Sequence, residues 1–125
     1  MRASRQLGYE ARFAKRRALS LKQAELLNHM PVEFDGRACK LLCLHYDNGR
    51  LAIRLVDWAT NELVATATVN VPEVHLDNDE VLIKDWGENE GMLQALEDAG
   101  ICKQTGRIAR YGLVVARACK LLLDG

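Results

Sequence analysis

Apolar residues recur at every third or fourth position over the first thirty residues, and at every second position through most of the chain after that. In the first segment Leu7, Ala11, Ala14, Ala18 and Leu21 fall on one helical stripe, with Arg5, Arg12, Lys15 and Arg16 largely on other faces. Ser20 followed by Gln23 has the spacing of a capping box and predicts a break, or a second helix, at that point. Pro31 disfavours the α conformation at Met30 and ends the helical stretch. Met30-Pro31 therefore divides a helical extension, residues 1–30, from a single domain, residues 31–125.

Beyond Pro31 the period is that of strands. Val32-Glu33-Phe34 is followed by Asp35-Gly36, a two-residue hairpin signal. Residues 37–46 are β-rich and close on the Asp47-Asn48-Gly49 turn. Leu51, Ile53 and Leu55 mark the buried face of a strand over residues 51–58, and Thr60-Asn61 is the next turn. Residues 63–71 predict one long strand, with Leu63, Ala65, Ala67, Val69 and Val71 inward and Val64, Thr66, Thr68 and Asn70 outward. Pro72 closes it, since proline gives nothing to a ladder. Residues 81–83 form a brief edge strand. A helix over about residues 88–99 follows, with Met92, Leu93, Leu96 and Ala99 as its apolar stripe and Glu88 and Glu90 at its N-terminal end. Gly100 is placed as a left-handed cap with Ile101 making the contact beyond it. Thr105-Gly106-Arg107 reads as a turn and residues 112–123 as a last strand. The segment Arg37-Ala-Cys-Lys-Leu-Leu42 recurs as Arg117-Ala-Cys-Lys-Leu-Leu122, which suggests two neighbouring strands with similar demands on each face. The fold class expected is α+β: a curled antiparallel sheet of five or six strands, one packed helix at about 88–99, and an N-terminal helical arm.

Charge sharpens this picture. The 125-residue chain is formally neutral, yet residues 1–30 carry seven bases and two acids, a net +5, and residues 31–125 a net −5. From Glu73 to Asp98 there are nine acidic residues against the single base Lys84. At 49% hydrophobic and 27% charged, the composition is that of an ordinary globular domain. No apolar run approaches the roughly 20 residues that cross a bilayer, and the first twenty residues lack the apolar core of a secretory signal. A cytoplasmic protein with no membrane partner is expected, and Cys39, Cys43, Cys102 and Cys119 then read as buried, reduced thiols.

Candidate chemistry is sparse. His29, His45 and His75 show no metal-ligand spacing relative to the cysteines. Asp77-Asn78-Asp79-Glu80 opens like a calcium loop, but Leu82 stands where the loop needs glycine. There is no nucleophile elbow, phosphate-binding loop, dinucleotide fingerprint or paired-histidine zinc motif. The residues therefore point to no enzyme and to no cofactor or metal.

Asn48-Gly49-Arg50-Leu51-Ala52, Thr68-Val69-Asn70-Val71-Pro72, Glu88-Asn89-Glu90-Gly91-Met92-Leu93, Ala99-Gly100-Ile101 and Thr105-Gly106-Arg107, in that order, resemble a family of small proteins encoded by phages, plasmids and integrated elements. The likeness covers about residues 30–125. It implies a mobile-element origin, no assigned activity and no catalytic residues to carry over. Small acidic proteins of such elements often occupy host defence machinery, and the nucleic-acid channels of CRISPR effectors are positively charged.

Two functional readings follow. In the first, the chain is a non-enzymatic binding protein, an anti-CRISPR or other anti-defence inhibitor. Its acidic flank of Asp77, Asp79, Glu80, Asp85, Glu88 and Glu90, with Trp86 as an apolar anchor, meets a basic host protein. In the alternative, Arg12, Lys15, Arg16 and Arg17 of the arm bind nucleic acid, with Tyr9 and Phe13 interleaved. The arm's apolar stripe either covers its own sheet in a monomer or serves a homodimer, the reading slightly preferred, with the +5 arm of one copy on the acidic flank of the other.

Overall fold

The computed structural model describes residues 21–123. Residues 1–20 of the helical extension expected over 1–30, with Arg12, Lys15, Arg16 and Arg17, lie outside the described residues. The first described element is helical over residues 21–27 (α1). The Gln23 side chain crosses to the loop before β5, where its Nε2 donates to the backbone oxygen of Asn78, 2.6 Å away. Ala24 and Leu27 are buried in the main core.

Seven strands and a short helix follow: β1 (Pro31–Phe34), β2 (Arg37–His45), β3 (Leu51–Asp57), β4 (Leu63–Thr66), β5 (Glu80–Ile83), α2 (Met92–Asp98), β6 (Cys102–Tyr111) and β7 (Val114–Leu121). The class is α+β as expected, but the strands form two antiparallel sheets instead of one sheet of five or six. One has four strands in the order β1-β2-β3-β4, the expected meander; the other has three in the order β5-β7-β6.

The division falls inside the long strand expected over residues 63–71. Its regular pairing ends at Thr66, after a register shift opposite Leu55 and Val56. The chain then runs along the seam between the sheets. Ala67 donates to the oxygen of Ile53 on one side and accepts from the Lys84 amide on the other, while Val69 donates to Leu82. Thr68, expected to face outward, is buried and bridges Ile83. Its Oγ1 accepts the Ile53 amide and bonds the Tyr46 hydroxyl, so a polar side chain that the alternation placed toward solvent is satisfied inside the fold. Leu63, expected inward, is exposed.

The main core lies among the inner faces of both sheets, α1 and α2; a smaller cluster of Leu82, Ala109, Ala116 and Ala118 sits on the other face of the second sheet, roofed by Val71 and Leu76. Arg50 holds that roof, donating to the oxygens of Val71 and Val74.

Three further expectations are corrected. The helix at 88–99 is a 3-10 turn (Gly87–Asn89), a break at Glu90-Gly91, and then α2, so Glu88 and Glu90 precede the helix instead of occupying its first turn. The break is set by Asn89, whose buried amide donates to the oxygens of Thr66 and Lys84 and pins the chain to the seam. Thr105-Gly106-Arg107 is a bulge inside β6, where Gly106 has φ 89°; the turn lies instead at Gly112-Leu113, between the paired Tyr111 and Val114. The repeated segments sit in β2 and β7, in different sheets, and are not neighbours. The cap at Gly100 is as expected. Its φ is 74°, its amide donates to Glu97, and the Ile101 amide reaches back to Leu96, the paired bonds of a Schellman ending.

Candidate functional site: an acidic groove beside an edge strand

β1 is an edge strand of the four-stranded sheet, and α2 lies beside it. The Leu41 amide donates to Met30, which fixes the ladder phase so that Val32 and Phe34 turn their backbone groups toward β2 and Pro31 and Glu33 turn theirs away. Between this edge, which no other described strand pairs, and α2 runs an open groove of about 1070 Å³. Its apolar surface includes Pro31, Ala95 and Trp58, and its charged lining is Glu33, Asp35, Glu90 and Asp98, with no base. All four carboxylates are exposed. Asp98 accepts the Gln94 amide, while Glu33, Asp35 and Glu90 have no ion-pair partner among the described residues.

Each wall is fixed by local chemistry. Asp35 (φ 53°) and Gly36 (φ 73°) form the left-handed turn that a two-residue hairpin of this twist requires. Trp58 is held by the turn after β3: Asp57 Oδ1 accepts the amides of Ala59 and Thr60, and its Oδ2 pairs with Arg37 at 2.9 Å. These bonds, the Thr60 amide first and then Arg37, bring the Asp57 carboxyl from 3.8 down to about 2. A carboxyl depressed on folding stabilises the turn above its ordinary value, and the contribution is lost as pH falls through about 2. NMR titration of the carboxyl carbons should find Asp57 still ionised at pH 3. In Arg37→Ala its titration should move upward, toward the ordinary range. The α2 wall begins under Asp85, whose Oδ1 accepts the amides of Gly91 and Leu93 and so satisfies donors that a helix start leaves free.

The acidic flank expected from the sequence is not one patch. Asp77, Asp79 and Glu80 lie at the start of β5, whereas Asp85, Trp86, Glu88 and Glu90 lie past its other end. Most have partners inside the fold. Asp77 lies 3.5 Å from His75, Asp79 pairs with Lys120, and Glu88 with Lys84, which lowers the Glu88 pKa. Glu80 is buried against Arg107, and Asp85 caps α2. Trp86 is half-buried, stacked obliquely on Tyr111 at 5.9 Å with the Lys84 ammonium at a similar distance from its face. Of the seven, Glu90 alone lines the groove. Glu33, Asp35, Asp98 and Trp58 join it there; the signals for them were Asp35-Gly36 beside a Pro-marked strand and the acidic end of a short helix.

The four cysteines are free and buried. Burial pushes the Cys43 thiol up to about 12 and also raises Cys39; Cys119 is raised by its hydrogen bond with Cys102 and by burial. Thiols so shifted stay protonated, and the thiolate is the reactive form. The described residues contain no cluster of three or more side chains suited to a metal ion, and no helix long and apolar enough to cross a membrane. No protein-family model, curated protein or solved structure matches the chain.

Proposed function

We propose that the chain is a non-enzymatic binding protein whose groove between β1 and α2 receives a basic segment of another protein. The observation that supports this reading is the groove's charge: four exposed carboxylates around an apolar surface, with no base among them. A Lys- or Arg-rich segment would neutralise them beside Trp58, which is 51% exposed and already has the Lys40 ammonium 5.6 Å from its ring centroid. The free Glu33 amide and carbonyl would let an extended segment add to the edge of β1. In the mobile-element setting that the resemblance implies, the fitting partner is a basic host surface such as the channel of a CRISPR effector, and the activity is anti-defence inhibition by occupancy.

The test uses a Lys/Arg-rich peptide and the emission of Trp58, in a Trp86→Phe background that leaves one indole. The peptide should shift the emission saturably, and more weakly at high salt. Glu33→Lys/Glu90→Lys should weaken binding on the order of tenfold or more without changing the circular dichroism. Glu73→Lys/Asp47→Lys, exposed positions outside the groove, should bind like the parent. Equal weakening by both pairs would reduce the effect to net charge and remove the groove as the site.

A further inference from the structure

The C-terminal hairpin carries the opposite character. Residues 102–123 contain five bases and no acid. β5 pairs with β7 only from Arg117 to Lys120, so the end of the hairpin, where Ala109–Tyr111 pair with Val114–Ala116, is a two-stranded ribbon with the Ile108–Arg117 pair at its base. One face of this ribbon is closed by Ala109 and Ala116, which pack into the smaller core beside Trp86. The other face presents Ile108, Arg110, Val115 and Arg117, all exposed, and Leu113 stands fully exposed at the tip. Arg110 opposes Val115 and Arg117 opposes Ile108, so the two arginines are diagonal neighbours, roughly 7–8 Å apart at Cα. Neither has a carboxylate partner among the described residues.

Two like charges side by side on an open sheet face, with apolar residues between them, call for an occupant that brings both carboxylates and apolar surface. A symmetric pairing of two ribbons would set arginine against arginine. A phosphate backbone would meet the arginines but offer nothing to Ile108, Val115 and Leu113. The β1–α2 groove has both features, and it too is bounded by an edge strand, as the ribbon is by β6.

We propose that the β6–β7 ribbon of one copy docks in the β1–α2 groove of a second copy, placing Arg110 and Arg117 against Glu33 and Glu90 and Ile108 and Leu113 on the apolar surface near Trp58. The proposal rests on the groove being a binding site, as argued above. The contact is head-to-tail, so it closes a ring or extends a chain according to the rotation between copies. It also puts self-association in competition with any basic partner for the groove.

Sedimentation velocity on the full chain tests this at about 0.05 M and about 0.5 M salt. The wild type should associate at low salt and dissociate at high salt. Arg110→Glu/Arg117→Glu has an acidic ribbon and an acidic groove; Glu33→Arg/Glu90→Arg has a basic ribbon and bases at the two groove positions that the ribbon arginines would meet, with Asp35 and Asp98 retained. Each should be monomeric alone, and an equimolar mixture should associate again. Asp47→Arg/Glu73→Arg, with the same change in net charge but an unaltered groove, should associate alone as the wild type does. A wild type that stays monomeric at every concentration in low salt overturns the proposal, as does a half-reversed variant that still associates alone. A duplex DNA or RNA mobility shift lost in Arg110→Glu/Arg117→Glu, beside a monomeric wild type, would assign the ribbon to nucleic acid instead. The basic peptide separates this inference from the groove reading. Arg110→Glu/Arg117→Glu keeps an intact groove, so peptide binding to it with no wild-type self-association sinks the ribbon and leaves the groove standing.

Discussion

Arg107→Met should destabilise the domain by about 3 kcal/mol, a large share of the 5–15 kcal/mol that a domain of this size has in total. Glu80 is 4% exposed. One of its oxygens accepts both the Arg107 guanidinium and the Asp77 amide, and the other has no hydrogen-bond partner. Removing the guanidinium leaves a buried carboxylate with a single neutral donor, and breaking such a pair from one side costs about 3–5 kcal/mol. The lower end applies because the Arg107 side chain is 45% exposed and water reaches it. The same guanidinium donates to the His75 oxygen, so the loop before β5 loses a second tie. Glu80→Gln should cost less, about 1 kcal/mol, since its amide oxygen can keep the Asp77 bond without a charge to solvate. The double variant should then be more stable than the sum of the two losses implies, by about 1–2 kcal/mol. Urea unfolding of the four proteins measures this. Strict additivity would mean that Arg107 acts through its loop contact and not through Glu80.

Arg107 also shows where sequence reasoning stopped. Thr105-Gly106-Arg107 has the composition of a turn, and nothing local distinguishes a turn from a bulge at a left-handed glycine. The difference lies in β7, which continues to pair on both sides of the irregularity and aims Arg107 at Glu80. Elements governed by local chemistry were legible: the Asp35-Gly36 hairpin, the 51–57 strand and the Gly100 cap all follow from residues within a turn of one another. The division into two sheets was not, because it depends on Thr68 finding the Ile53 amide and the Tyr46 hydroxyl, partners 15 and 22 residues away. Residues of several segments singled out in the sequence act as clasps of the fold. Asn48 bonds Asn70, Arg50 holds Val71, Asn89 pins Thr66, and Gly100-Ile101 ends α2. The acidic flank looked like a surface because sequence counts charges and not partners. Once His75, Lys84, Arg107 and Lys120 are placed, the carboxylates left unpaired at the groove include Glu33 and Asp35, far from that flank in the chain.

Leu96→Ala should cost about 3 kcal/mol or more and disable the groove. α2 has seven residues, too few to persist as an isolated helix, so it depends on burial and on its ends. Leu96 is completely buried, with Met92 and Leu93 beside it, and removing a buried leucine side chain costs about 2–5 kcal/mol through lost transfer energy and the cavity left behind. The upper part of that range is expected because the Leu96 carbonyl also receives the Ile101 amide, so a shift of the backbone into the cavity strains the cap. The wall carrying Glu90, Ala95 and Asp98 should then open more readily than the sheets unfold, since what remains to hold it is the burial of Met92 and Leu93, the two amides held by Asp85 and the exposed Gln104–Glu97 bond. Hydrogen exchange of the α2 amides should rise well beyond that of β2 and β3 in Leu96→Ala, and the Lys/Arg-rich peptide should bind weakly although every groove carboxylate is retained. Leu96→Met, similar in volume and unbranched, should keep most of the stability and the binding. If Leu96→Ala lost stability yet held the peptide as tightly as the wild type, the carboxylates of β1 alone would form the site, and α2 would be no wall of it.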